Sequence, residues 1–444
     1  MEKNNRMQIA VIGAGPAGLF AAEALASNGF GVALFNRDIK PGGLAEYGIF
    51  PDKYKLKNGL RSQFTSILGS EQIDYYGNIK IGIKEPVNLN MLFEWGFSAV
   101  LVACGAQGKK TLNLQGEDSS GVYNAKDLVY FYNKLPPYSE LKFDFGKKAV
   151  IVGGGNVMAD IAHYLIKYSS VEEITVLIRR GPGEVKFDKK EALSFISYLD
   201  LAAYNREMER VSSQMVELGQ DVVAIKEKLL ADYSKAEPME REVNIRFRFL
   251  SSPKRIIREG DKRVSYLDFE ENTLYLEDGE VKAKGTGKLE SINLDSVIFA
   301  IGDSVLDEMG LPMDKFGYCH ARNPRYPIEG ESYEVENPQT GEPIKGIFLA
   351  GWSRNPSTGL VGTARRDGVR AASAISQLLE NQSSQTGIDR STIQKRLIGL
   401  NCVAVTKEHL NLLDAAEKKQ AAQRGLEEYK FASNDEMLKI MGLG

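Results

Sequence analysis

Gln8-Ile9-Ala10-Val11-Ile12-Gly13-Ala14-Gly15-Pro16-Ala17-Gly18 stands near the start of the chain, and Lys148-Ala149-Val150-Ile151-Val152-Gly153-Gly154-Gly155-Asn156-Val157 repeats its design further on. Each sets a short apolar run, read as a buried parallel strand, directly ahead of glycines and a helix-forming segment. The spacing answers one physical need. The chain must reverse from strand to helix while a pyrophosphate rests on the helix N-terminus, and glycine removes the Cβ that would block it. A single loop of this kind is a weak signal. Two in one chain imply two nucleotides, and the commonest reason to hold two is to pass electrons from one to the other.

The first loop has all three glycines, Gly13, Gly15 and Gly18, and opens a helix over 17–27. A strand over 31–35 then ends at Asn36, where an acidic residue usually takes the ribose hydroxyls. Asparagine offers an acceptor oxygen there without charge. In the second loop the third small position is Met158, beside Ala159, so helix packing is expected to adjust. The strand over 174–178 ends in Arg179-Arg180-Gly181-Pro182. A carboxylate at that strand end would repel a 2′-phosphate, whereas two guanidinium groups hold it by forked, charge-assisted hydrogen bonds. The second nucleotide is therefore expected to be NADP rather than NAD. Arginines at a strand end are often merely solvated, but the glycine loop at the correct distance upstream favours the functional reading.

The chain has 444 residues, enough for two or three domains with their own cores. A hydrophobic share of 43% and a formal charge of −3 give no electrostatic reason to bind nucleic acid or an anionic membrane. No apolar run approaches the roughly 20 residues of a membrane span. With the first strand starting near Gln8, no targeting peptide is expected, and the expected location is cytoplasmic. Cys104, Cys319 and Cys402 lie far apart without a C-x-x-C, and His163, His320 and His409 are scattered. No metal site and no redox-active disulphide are therefore expected from this chain, and a metal-centred electron partner has to be another protein.

Apolar strands over 98–106 and 295–302 close the two nucleotide units. Between them lies a polar, helix-favouring insertion, 203–236, whose mixed charges read as a solvated face. After Asp303 the features of the first unit resume, with a strand over 346–352 and a helix opening near Ser357-Thr358-Gly359. A polar linker, 382–386, precedes two helical stretches expected to pack on the first domain. The expected boundaries are 1–107, 108–302 and 303–444, with the second domain inserted into a discontinuous first.

Further elements carry a resemblance. They include Pro41-Gly42-Gly43-Leu44, Tyr47-Gly48-Ile49, Pro51-Asp52 with Lys57-Asn58, and Arg248-Phe249-Leu250-Ser251-Ser252-Pro253. Gly351-Trp352 with Pro356 to Gly359 is the most specific, and the tail segments Leu413-Asp414-Ala415-Ala416-Glu417 and Glu436-Met437-Leu438 also fit. With these the chain resembles the adrenodoxin-reductase type of ferredoxin–NADP reductase, a glutathione-reductase-like flavoprotein, and more distantly the small subunit of glutamate synthase. The resemblance implies an α/β fold of two Rossmann-like domains, parallel sheets with flanking helices, the NADP domain inserted into a discontinuous FAD domain.

By that resemblance FAD contacts Gly13, Gly15, Ala17, Gly18, Asn36, Leu44, Ile81, Trp352, Gly359, Leu360 and Val361. NADP contacts Gly154, Gly155, Asn156, Val157, Arg179, Arg180, Glu191 and Gly359. A helix N-terminus after Gly359 would stabilise negative charge on a reduced flavin, and the missing side chain lets nicotinamide approach. The implied activity is electron transfer between NADPH and a one-electron, ferredoxin-like iron–sulphur protein, with Glu191, Asp52, Lys53, Trp352 and Gly359 at the reacting centre. Two departures stand out. The family commonly has histidine after Pro-Asp, where this chain has Lys53, which leaves Glu191 and Asp52 as the proton-relay groups. Basic residues on the NADP domain of relatives receive the acidic partner, whereas the insertion here mixes acids with bases. An electron-entry subunit of a larger complex and a non-catalytic flavin sensor are the alternative readings.

Overall fold

The runs β1 (Gln8–Ile12) and β2 (Gly31–Phe35) are buried at every residue, as strands covered on both faces must be. They form the middle of a six-stranded sheet in the computed structural model, which describes residues 6–231, 233–236, 238–260, 263–380 and 387–444. The sheet order is Glu334–Asn337, Glu342–Leu349, β4 (Ala99–Val102), β1, β2, β3 (Ile73–Tyr76). All neighbours are parallel except the first pair. Apolar clusters cover both faces, one around Val11, Leu34 and Ile375, the other around Ile12, Phe35 and Val102.

Helix α1 (Pro16–Ser27) starts with proline at its first turn and carries small apolar residues almost all round. This allows the long helix Val361–Glu380 to approach backbone to backbone: a Cβ on Gly368 would lie 2.1 Å from the Ala17 carbonyl oxygen.

Two units result. The first takes the described residues up to Lys109, then Tyr130–Glu140, then those from Asp303 onward. The second takes Lys110–Val129 and Leu141–Gly302. Residues 130–140 thus belong with the first unit although they fall within the 108–302 stretch. The reason is packing and hydrogen bonding: Tyr130 and Leu135 share a cluster with Tyr47, and the Lys57 ammonium donates to Asn133 Oδ1 at 3.3 Å.

In the second unit five parallel strands run in the order Val122–Asn124, Ser296–Phe299, β5 (Lys148–Val152), β6 (Glu173–Leu177), Asn244–Arg248. A three-stranded antiparallel sheet, Ser251–Glu259, Arg263–Glu277 and Glu280–Asn293, accompanies it. The polar insertion forms helices Leu201–Glu217 and Val222–Leu230, each N-capped by an aspartate, Asp200 or Asp221. Its charges are not all solvated. Glu207 is buried, accepts the Phe249 amide at 2.7 Å and pairs with Arg210 at 2.7 Å. The linker expected at 382–386 lies outside the described residues. The tail forms three helices, Arg390–Gly399, Lys407–Arg424 and Asn434–Ile440, rather than two. Among the described residues no helix is long and apolar enough to cross a membrane.

The contact at Gly368 is testable. Gly368→Ala is expected to cost about 1–3 kcal/mol and lower the melting temperature by several degrees, because backbone cannot yield as a flexible side chain does. Gly59→Ala, at a helical position with open space around it, is expected to raise the melting temperature.

Candidate functional site

In the first loop each glycine answers a different constraint. Gly13 has φ +104°, and a Cβ there would meet the Ala103 carbonyl oxygen at 2.5 Å. A Cβ on Gly18 would come within 1.9 Å of the Gly13 oxygen, so this residue sets the approach of helix to strand. At Gly15, the extended N-cap of α1, nothing lies within 4 Å of a Cβ. That open space, at the unsatisfied amides of the helix start, fits a diphosphate.

Asn36 does not present itself to a ribose. It is 6% exposed, its Oδ1 accepts the Ala14 amide at 3.0 Å, and its Nδ2 donates to Asp38 O, Lys40 O and Tyr75 Oη. The neutral amide has become the pin that fixes the loop from below. Above it, the Gly42 amide donates to Ala14 O at 2.7 Å, and a Cβ on Gly43 would sit 3.1 Å from Gly15 Cα. The one-turn helix α2 (Leu44–Tyr47) follows directly. Ala17 is buried with its Cβ facing Gly351, and the Ile81 side chain is 2% exposed within the core.

The segment from Gly351 closes the far side of this unit. Gly351 has φ +64°, and a Cβ there would meet Ala17 Cβ at 2.7 Å. Its amide donates to Asp367 Oδ2 at 2.6 Å, and the same carboxylate takes both Nε and Nη2 of buried Arg354. Ser353 accepts the Gly105 amide at 2.9 Å and so ties this turn to the end of β4. Trp352 donates from Nε1 to Thr358 O at 2.9 Å, fixing the approach to Gly359. Gly359 is required by its own backbone, with φ +73° and Thr363 at 2.5 Å from a Cβ. Leu360 is 66% exposed just ahead of the helix that begins at Val361. Asp52 and Lys53 lie in the short 3-10 turn Pro51–Lys53, ahead of α3 (Tyr54–Leu68).

The second loop repeats the design with different residues. Gly153 has φ +138°, with Ala300 O at 2.3 Å from a Cβ, and Gly155 again faces open space at the N-cap of α4 (Asn156–Tyr168). Met158, in place of a third small residue, is fully buried. The Asn156 side chain is engaged by the protein: its Nδ2 donates to Asp188 Oδ2 at 3.0 Å and its Oδ1 accepts the Asp188 amide at 2.7 Å. This pair and the Lys186 amide, which donates to Gly154 O, hold the 186–188 segment beside the loop. Glu191 follows on the short helix Lys189–Ala192.

Arg179 and Arg180 sit where β6 gives way to a turn. Neither guanidinium has a hydrogen-bond or ion-pair partner among the described residues. Their backbone is fixed instead: Asn272 Nδ2 donates to Arg179 O at 2.7 Å, and the Leu250 amide donates to Arg180 O. Leu250 reaches that position only through a left-handed conformation, φ +51°. The motif around Leu250-Ser251-Ser252 is thus the support of the arginine turn, a role no local sequence signal reveals.

A model of the pyridine nucleotide-disulphide oxidoreductases matches residues 7–324. The chain belongs to that family. Within it the chain is similar to NADPH-ferredoxin reductase FprA of Mycobacterium leprae, at 27% identity over 99% of both chains. The mitochondrial NADPH:adrenodoxin oxidoreductase of Arabidopsis thaliana is 26% identical, covering 97% of this chain and 95% of the relative. Among solved structures, Mycobacterium tuberculosis FprA in complex with NADPH superposes with a TM-score of 0.82 at 26% identity, over 99% of this chain and all of the other. Despite the family's name, all three cysteines here are free thiols.

Arg179→Ala is expected to weaken NADPH binding about tenfold or more while changing NADH binding little, since only NADPH carries the 2′-phosphate. Titrating both nucleotides against parent and variant checks this. Equal losses would mean that Arg179 does not read the phosphate.

Proposed function

We propose that this protein is an FAD-dependent oxidoreductase that passes electrons between NADPH and a one-electron, ferredoxin-like iron–sulphur acceptor. The observation that carries the reading is the doubled loop: two units, each with an open glycine cradle at a helix start, one of them followed by two arginines that have no side-chain partner among the described residues. The names of its full-length relatives, an NADPH-ferredoxin reductase and an NADPH:adrenodoxin oxidoreductase, support it.

On this reading Gly13, Gly15 and Gly18 receive the FAD diphosphate with the amides of α1. Leu44, Ile81, Trp352 and Gly359 to Val361 border the cofactor, and Ala17 and Asn36 position the loop. When bound, FAD supplies the conversion between hydride, which carries two electrons, and single-electron transfer. The helix start at Val361 would stabilise negative charge on a reduced flavin. Gly154 to Val157, Arg179 and Arg180 hold NADPH, with lysines 186, 189 and 190 adding positive charge along the same loop. Glu191 and Asp52 are the proton-handling groups, with Lys53 in the position that the family commonly gives to histidine. We place the reaction in the cytoplasm.

The experiment is a coupled assay. FAD-loaded protein, NADPH and a ferredoxin are mixed with cytochrome c as final acceptor. The reading predicts cytochrome reduction that saturates with ferredoxin and exceeds the ferredoxin-free rate at least about tenfold. Rates that no ferredoxin raises, with any of several tried, would remove the iron–sulphur partner from the account.

A further inference from the structure

The most concentrated group of buried charges in the first unit lies where the C-terminal tail meets the turn over the first loop. Glu46 on α2 is 3% exposed and draws three cations. Arg61 of α3 donates from Nε and Nη2 to its two oxygens, both at 2.6 Å. Lys430 of the tail approaches to 2.9 Å, and Lys40 to 3.6 Å. Together they hold the Glu46 carboxyl far below the usual carboxylate range, against the opposing effect of its burial.

Lys430 does more than neutralise Glu46. It is buried, its Nζ also donates to the Glu46 carbonyl at 2.8 Å, and its ammonium lies 5.0 Å from the centre of the Tyr47 ring. A second tail residue, Glu417, pairs with Lys40 at 2.5 Å and accepts the Phe431 amide. A third, Glu428, pairs with Arg61 and, at 3.1 Å, with fully buried Lys57. Two tail side chains, Lys430 and Glu417, thus grip the segment from Lys40 to Tyr47, while Glu428 holds α3 beside it. That segment is itself wired to the loop: Lys40 O accepts from Asn36, Asn36 accepts the Ala14 amide, and Gly42 and Gly43 rest on Ala14 and Gly15. A four-residue helix has no stability of its own, so external contacts must set its position.

We propose that the C-terminal tail is a clamp on the first phosphate loop: Lys430 and Glu417 hold the turn 40–47 down on Gly15, and tight retention of FAD depends on that grip. The proposal rests on the reading that FAD occupies this loop. Lys430 touches no cofactor atom in this account; it is a positioning residue acting through Glu46.

The test uses the full chain. FAD is removed, and its dissociation constant is measured by quenching of flavin fluorescence for parent, Lys430→Met and Lys430→Arg, with NADP⁺ affinity measured in parallel. Lys430→Met is expected to raise the FAD dissociation constant about tenfold or more, with NADP⁺ affinity unchanged. Lys430→Arg keeps the charge and is expected to recover most of the loss, which a mere packing defect would not allow. An FAD constant for Lys430→Met within about twofold of the parent overturns the clamp, whatever the melting temperature does. If Lys430→Met fails to fold, Glu417→Gln takes its place; it leaves Lys430 on Glu46 and removes the ion pair between Lys40 and the tail, and unchanged FAD affinity there overturns the proposal equally. A parent protein that binds no FAD would instead sink the reading of the loop itself.

Discussion

At two places in this molecule a strand ends, turns and becomes a helix within three residues, and a neighbouring carbonyl leaves no room for a side chain at the turn. Ala103 O lies 2.5 Å from where a Cβ on Gly13 would stand, and Ala300 O lies 2.3 Å from one on Gly153. Both carbonyls come from the residue just after the strand that flanks the loop strand, β4 in one unit and Ser296–Phe299 in the other. Both glycines also need positive φ. The same steric constraint met twice puts the first helical amides of α1 and α4 at open cradles, and everything proposed about binding depends on it.

What surrounds the two cradles differs, and the difference supports the roles proposed for them. The first is enclosed by protein groups: Asn36 below, the Gly42-Gly43 turn above, and Ala17 against Gly351 and Gly368 behind. Such a site suits a cofactor held through many turnovers. The second is edged by arginines that have no hydrogen-bond or ion-pair partner among the described residues, while their backbone is fixed by Leu250 and Asn272. A charged rim suits a nucleotide that must arrive, be recognised by its extra phosphate and leave.

The glycine loops, the parallel strands and the arginine pair were legible in the sequence because each is set by local steric or electrostatic need. The return of the first unit after Asp303 was legible for the same reason, through Gly351-Trp352 and Gly359. Asn36 was not: its spacing pointed to a ribose, but only the fold shows the Ala14 amide within reach of its oxygen. Asn156 was likewise read as a ligand group, while its side chain is engaged with Asp188. The capture of residues 130–140 by the first unit and the burial of Glu207 and Lys430 depend on partners far away in the chain, which no periodicity encodes. Mixed charge at helical spacing looked solvated, yet Glu207 is buried, where it pairs with Arg210 and accepts the Phe249 amide.

The central claim is that two differently built cradles serve one electron path. Anaerobic titration of the FAD-loaded protein with NADPH, and separately with NADH, tests it most directly, with bleaching of the flavin's visible band as the readout. The account predicts rapid, stoichiometric bleaching by NADPH and slow or weak bleaching by NADH. Bleaching by neither nucleotide would contradict it, because the two loops would then hold nucleotides that do not exchange electrons.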